Sequence, residues 1–165
     1  MRFADLAAAG AALADHVTDH LAAGADWPSP VVVAVLPNGV PVAIPVARAL
    51  GAPLIGARVD RVGEPEVQLE GDVRGATAVV VDDGVETGTA ARLAARAARA
   101  AGARRIVLAV PVCPREASAT LQSVYDEIRA VVQPMGRRDL RWHFDDFDTI
   151  DDATARSLLA RAQQP

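Results

Sequence analysis

Between Val79 and Ala90 the chain reads VVVDDGVETGTA: a β-branched run, two adjacent carboxylates, then a turn of glycine and hydroxyl residues opening into an Ala- and Arg-rich segment. Each residue type has a use there. Backbone N–H groups of Glu86 to Thr89 can converge on one point, the Thr87 and Thr89 hydroxyls add donors, and Gly88 lets a ligand approach the backbone closely. A helix starting at Thr89 would place the positive end of its dipole at the same point, which suits a phosphate. Asp82 and Asp83 suit sugar hydroxyls, or a Mg²⁺ ion bridging to a polyphosphate. Two adjacent Asp after a strand can also be plain turn residues. It is the Thr-Gly-Thr turn and the helix entry behind them that point to binding.

The elements that must hold this segment follow from periodicity. Leu6, Leu13, Val17 and Leu21 recur at helical spacing, with Asp5, Asp15 and Asp19 on the other side, so residues 3–23 form an amphipathic helix. VVVAVL at 31–36, bounded by prolines, reads as a strand buried on both faces. A helix over about 40–50 closes on Gly51. APLIGARVD is a second strand, and 61–74, with Gly63, Pro65 and Gly71, is a loop or small hairpin of the kind that serves as a lid. ATAVVVDD leads through the phosphate-type turn into a helix over 89–101. RRIVLAVPVC, PREASATLQS and YDEIRAVVQP then read as strand, helix and strand, and after LRWHFDDFDTI a last helix covers about 151–162. Strands alternating with helices predict an α/β fold: a Rossmann-like, three-layer, mainly parallel sheet flanked by helices, built as one domain over residues 1–165.

Composition removes several function classes. The sequence has 165 residues and a net charge of −4, and all 17 of its basic residues are Arg, because it contains no Lys. Schiff-base chemistry and a P-loop lysine are therefore excluded. The acidic balance disfavours nucleic acid as a partner. A single cysteine, Cys113, rules out a disulfide framework and a Cys-based zinc site, and fits a reducing cytoplasm. No signal-type apolar stretch opens the sequence and no apolar run is long enough for a bilayer, so no membrane partner is expected.

The run Val79 to Thr89 resembles the signature of the type I phosphoribosyltransferases: a hydrophobic strand, two acidic residues, one or two variable positions and a Thr-Gly turn entering a helix. VAVLPNGVPVAIPVARALGAPL is similar to the family's pyrophosphate-binding segment, and VPVCPREA and RWHFDDF resemble stretches of a bacterial subgroup of small members. The resemblance implies the type I fold with a small hood or tail, and transfer of phosphoribose from phosphoribosyl pyrophosphate (PRPP) to a nucleobase-like acceptor with Mg²⁺ as cofactor. It also implies residue roles. Thr87, Gly88 and Thr89 would hold the 5-phosphate, with Gly84, Val85 and Glu86 contributing loop backbone. Asp82 and Asp83, the catalytic and metal-facing pair, would orient the ribose. Asn38 and Gly39 would contact pyrophosphate, Arg58 or Arg61 would neutralise the leaving group, and Trp142 would cover the base. Relatives commonly pair, which leaves a homodimer open.

One departure stands out. Asn38-Gly39-Val40 occupies the place where the subgroup has Arg-Gly-Gly-Val, so a second reading is a PRPP- or nucleotide-binding regulatory module without turnover. The absent lysine bears on the acceptor, since several family members read a purine oxygen or assist catalysis with one. It favours a base read by backbone or apolar contacts, adenine-like or unconventional. The remaining motifs have plainer explanations. His16 and His20 lie on a solvated helix face, Arg92, Arg96 and Arg99 form another solvated face with a dimer contact or an anion path as the alternative, and Cys113 is structural. Trp142, Phe144 and Phe147 belong to an edge strand or packed tail. The Asp residues over 145–152 solvate that tail and cap the last helix. A receiver-type phospho-acceptor would need a lysine, and no Gly-x-Ser-x-Gly elbow is present for a hydrolytic triad.

Overall fold

A computed structural model describes residues 1–165. Helix α1 (Leu6–Ala22) precedes β1 (Pro30–Val35), α2 (Gly39–Leu50) and β2 (Leu54–Asp60). Next come β3 (Glu66–Leu69), β4 (Thr77–Val81), α3 (Thr89–Ala100), β5 (Arg105–Val112), α4 (Arg115–Leu121) and β6 (Glu127–Val132). A 3₁₀ turn (Leu140–His143) and α5 (Asp152–Ala162) complete the chain. The six strands form one sheet in the order β3-β2-β1-β4-β5-β6, antiparallel only between β2 and β3. The expected α/β sheet is therefore present, and the 61–74 segment is the small hairpin, its return strand being β3.

Alternation along the strands explains the layers. Val32 and Ala34 of β1 and Val79 and Val81 of β4 pack with α1, α2, α5 and the tail, whereas Val33, Val35, Ala78 and Val80 pack with α3 and α4. Every residue of β4 is buried, as a strand with a parallel neighbour on each side and helices on both faces must be. Helix α3 turns Ala91, Ala94, Ala95 and Ala98 to the sheet and its arginines outward. The sequence also marks the helix ends: Asp5 accepts from the Ala8 N–H at 2.7 Å, Asp151 accepts from the Thr154 N–H at 2.7 Å, and Gly51 closes α2 in the left-handed region.

One expectation changes. His20 does not lie on a solvated face: its ring meets the Glu127 carboxylate at 2.5 Å and Arg129 at 3.1 Å, because the start of β6 lies beside the end of α1. Glu127 also accepts from the Trp27 indole at 2.6 Å and pairs with Arg105, which closes the end of the sheet away from the acidic loop. Of the two forms expected for the aromatic stretch, edge strand or packed tail, the structure has the second. The tail packs down, with Phe144 buried between Phe3 and Phe147 at ring separations of 5.6 and 4.8 Å.

Candidate functional site

Strand order reverses between β1 and β4: from β1 the chain moves outward to β2, and from β4 to β5 on the other side. In an open parallel sheet the crevice at the carboxyl ends of two such strands is where a ligand binds. The loops that fill it here are Leu36–Gly39 after β1 and Asp82–Gly88 after β4.

These loops touch because residue 39 has no side chain. A Cβ there would lie 2.8 Å from the Val81 carbonyl oxygen and 3.2 Å from the Asp82 Cα. The start of α2 is thus seated on the end of β4, and the Asp82 carboxylate sits beside it. Asp82 Oδ1 accepts from the Asp83 N–H at 2.8 Å. Asn38 Oδ1 accepts from the Ile150 N–H at 3.0 Å, and the Asn38 side chain also hydrogen-bonds toward Asp83. Burial, and then the neighbouring Asp83 charge, push the Asp82 carboxyl well above the usual carboxylate range. Burial raises Asp83 as well, against hydrogen bonds from Asp82 and Asn38. Neither carboxylate has an ion-pair partner among the seven pairs in the protein.

Asn38, Arg58, Arg61, Asp82 and Asp83 line one cavity of about 310 Å³. Arg58 is held by its cross-strand neighbour Gln68, whose side-chain oxygen lies 2.5 Å away, so the short strand β3 positions it. Asp152, at the start of α5, lines the same cavity and was not anticipated. Its neighbourhood is fixed by Arg156, which bonds Asp152 at 3.0 Å and forks onto Glu70 of the hairpin at 3.1 and 3.0 Å. No sequence signal marked it, because the last helix reaches the crevice only through the tail.

Beyond the acidic pair the loop leads into the uncapped N-terminus of α3. Gly88 is the N-cap of α3 at φ 89°, a conformation that favours glycine, and no side chain caps the helix or adds an acidic group to its first turn. The exposed Thr87 and Thr89 hydroxyls lie 3.3 Å apart at that opening. The other expected residues have different surroundings. The Val85 N–H donates to the Val112 carbonyl at 2.9 Å and its side chain is buried, so it rivets the loop to β5 and offers a ligand no donor. The Glu86 carboxylate accepts from the Leu140 N–H at 2.9 Å, and the Leu140 side chain covers Gly84. Trp142 is half exposed, away from the 310 Å³ cavity, with the Arg138 guanidinium 4.5 Å from its ring centre. Cys113 is fully buried, and burial pushes its thiol up to about 11, as expected of a structural cysteine.

An acidic pair and an open helix N-terminus thus share one loop at the switch point of a parallel sheet, the place where α/β proteins of this class commonly bind phosphorylated ligands. The family follows from comparison: the model of the phosphoribosyl transferase domain matches residues 4–135, and the chain belongs to that family. A protein of Mycobacterium tuberculosis, provisionally named a phosphoribosyl transferase, is 39% identical over 74 residues. These are 45% of this chain but only 16% of the relative, so the match spans about a sixth of that protein. Among solved structures, the Thermus thermophilus protein TT1426 superposes with a TM-score of 0.85 at 26% identity, covering 99% of this chain and all of that one. The purine phosphoribosyltransferase of Pyrococcus horikoshii gives 0.61 at 22% identity, covering 92% and 99% of the two chains. The adenine phosphoribosyl transferase of Trypanosoma brucei, solved with AMP, pyrophosphate and ribose-5-phosphate, gives 0.61 at 15% identity, over 88% and 75%. The last two share the fold. No helix of this chain is long and apolar enough to cross a membrane.

Proposed function

We propose that the chain, acting as one unit over residues 1–165, is a Mg²⁺-dependent phosphoribosyltransferase that takes PRPP and a nitrogen acceptor and releases pyrophosphate. The observation that carries this is the uncompensated Asp82–Asp83 pair, set by the Gly39 contact in the same crevice as the open N-terminus of α3. Thr87, Thr89 and the first N–H groups of α3 hold the 5-phosphate. Asp82 and Asp83 accept from the ribose hydroxyls. Gly39 brings the start of α2 beside the pyrophosphate, with Arg58 and Arg61 across the cavity to take up its charge. The Asp82 and Asp83 carboxylates, lining one cavity without ion-pair partners, suit a Mg²⁺ ion, which is commonly held by one or two carboxylates together with substrate phosphates and water. When bound, it would supply charge neutralisation on the pyrophosphate oxygens.

In the reaction the bond from the anomeric carbon to pyrophosphate breaks, its electron pair leaving with pyrophosphate. The acceptor nitrogen donates its pair to that carbon, and its displaced proton goes to water. The protein contributes positioning and electrostatics. Titration calorimetry with Mg²⁺ and PRPP tests this directly. Binding by the wild type that disappears in Asp82→Asn/Asp83→Asn is expected, and no binding, or equal binding by the variant, overturns it.

One observation favours a second reading, a binding module without turnover. The Asn38 side chain, in the place of an arginine, is spent on Ile150 and Asp83, so the pyrophosphate turn carries no cation of its own. Pyrophosphate release in single-turnover assays with any base removes this alternative.

A further inference from the structure

The phosphoribosyl-transfer reading leaves the acceptor unassigned, and the order of the loops gives it a place. Displacement at a saturated centre brings the nucleophile in opposite the leaving group. The groups facing pyrophosphate follow β1 and β2, on one side of β4. The acceptor must therefore approach from the other side, over the loops that follow β5 and β6.

On that side the position above Gly84 is already filled. A Cβ at residue 84 would lie 2.5 Å from Leu140 Cδ2, and the Leu140 N–H is tied to Glu86, so tail and loop touch with no slot between them for a stacked ring. Next to this contact lies a cavity of about 250 Å³ that shares Glu86 and Thr87 with the phosphate loop. Its other lining includes Arg92 of α3, Pro114 and Glu116 at the start of α4, and Arg137 beyond β6. It contains no aromatic ring. Arg92 and Arg137 form none of the protein's ion pairs, so two uncommitted guanidiniums face one small pocket beside the Glu86–Thr87 loop. Of the two carboxylates there, Glu86 is occupied by the Leu140 N–H and Glu116 is exposed to solvent. A planar guanidinium fork is matched to an oxyanion, whereas an uncharged base would find only Pro114 and Ala117 as apolar lining and no aromatic ring to stack on.

We propose that this cavity is the acceptor subsite, and that the acceptor is a small nitrogen heterocycle bearing a carboxylate, held by Arg137 together with Arg92. The inference rests on the phosphoribosyl-transfer reading. It replaces the uncharged base that the missing lysine favours with an anionic one, for which arginine is the better reader.

The same two guanidiniums could instead meet the 5-phosphate of PRPP, and the experiment separates the two sources. Wild type, Arg137→Gln, Arg137→Lys and Arg92→Gln are titrated calorimetrically with Mg²⁺–PRPP. Each is then titrated with orotate, nicotinate and quinolinate and, for comparison, with adenine, hypoxanthine and uracil, with and without PRPP. The expected result is wild-type binding of at least one carboxylated heterocycle, weakened about tenfold or more in Arg137→Gln and only partly restored by lysine, while PRPP affinity stays within about twofold. A comparable loss of PRPP affinity in Arg137→Gln would assign the guanidiniums to the 5-phosphate and overturn the proposal. So would binding of uncharged bases alone, or carboxylate binding indifferent to both arginines. Failure of wild type to bind PRPP, with Arg137-dependent carboxylate binding intact, would instead defeat the transfer reading and leave the anion pocket standing.

Discussion

Gly39→Ala is the substitution that most directly probes how the fold builds the site. An added Cβ would stand 2.8 Å from the Val81 carbonyl oxygen, about 0.6 Å short of the 3.4 Å at which ordinary contact begins, and both nearest atoms are backbone. Neither can rotate away, so α2 must lift from the end of β4. Overpacking of this kind costs about 1–3 kcal/mol, against which alanine's better helical propensity returns about 0.5–1 kcal/mol. The net loss of roughly 0–2.5 kcal/mol lowers Tm by up to about 10 °C for a chain of this size. The functional effect should exceed the stability effect, because a displacement of about half an ångström is already the limit within which a binding constellation must be held. Scanning calorimetry and Mg²⁺–PRPP titration read the two effects, with Gly136→Ala as a control, since nothing lies within 4 Å of a Cβ at that position. A Gly39→Ala protein matching the control in both Tm and PRPP affinity would refute the claim that this contact aligns the two loops.

Three further outcomes follow from the electrostatics and packing. Asp82 is raised in the fold by burial and by Asp83, so its ionisation costs stability that accumulates as pH rises from the unfolded carboxylate range through the folded value. Asp82→Asn should therefore raise Tm at pH 7, lose that advantage near pH 4, and abolish PRPP binding, whereas a lower Tm at pH 7 would contradict the burial argument. Burial pushes Glu127 up, but hydrogen bonds from Trp27 and His20, the His20 charge and Arg105 outweigh it and leave the carboxyl below its usual range. The stabilisation is complete above the unfolded value and is lost as pH falls through the folded one. Glu127→Gln should flatten this acid limb of the Tm–pH curve and cost about 1–3 kcal/mol at pH 7 by weakening three charged or polar contacts, without changing PRPP affinity. Cys113, buried with its thiol raised to about 11, should resist a disulfide reagent in native buffer and react once in denaturant; rapid native labelling would show that the β5 end opens.

Most of the sheet and one half of the site were legible along the chain because the signals are local. A β-branched run reports burial on both faces, an Asp or Gly reports a helix end, and in the stretch from Val79 to Thr89 strand, acidic pair, turn and helix start are contiguous. The other half depends on contacts that span the chain. Asn38 bonds Ile150 across 112 positions, Glu86 bonds Leu140 across 54, and His20 bonds Glu127 across 107. None has a periodicity or spacing that could announce it. For that reason no signal along the chain marks Asp152 in the crevice, Leu140 over Gly84 or Arg137 beside Arg92, and the Val85 N–H, expected to face a ligand, belongs to Val112. By itself the sequence determined which residues could bind a phosphate and a sugar, and that a parallel sheet would carry them. Only the tertiary structure decided which side of β4 each group faces and which polar groups are already spent, because hydrogen-bonding capacity is consumed by whichever distant segment packs against it.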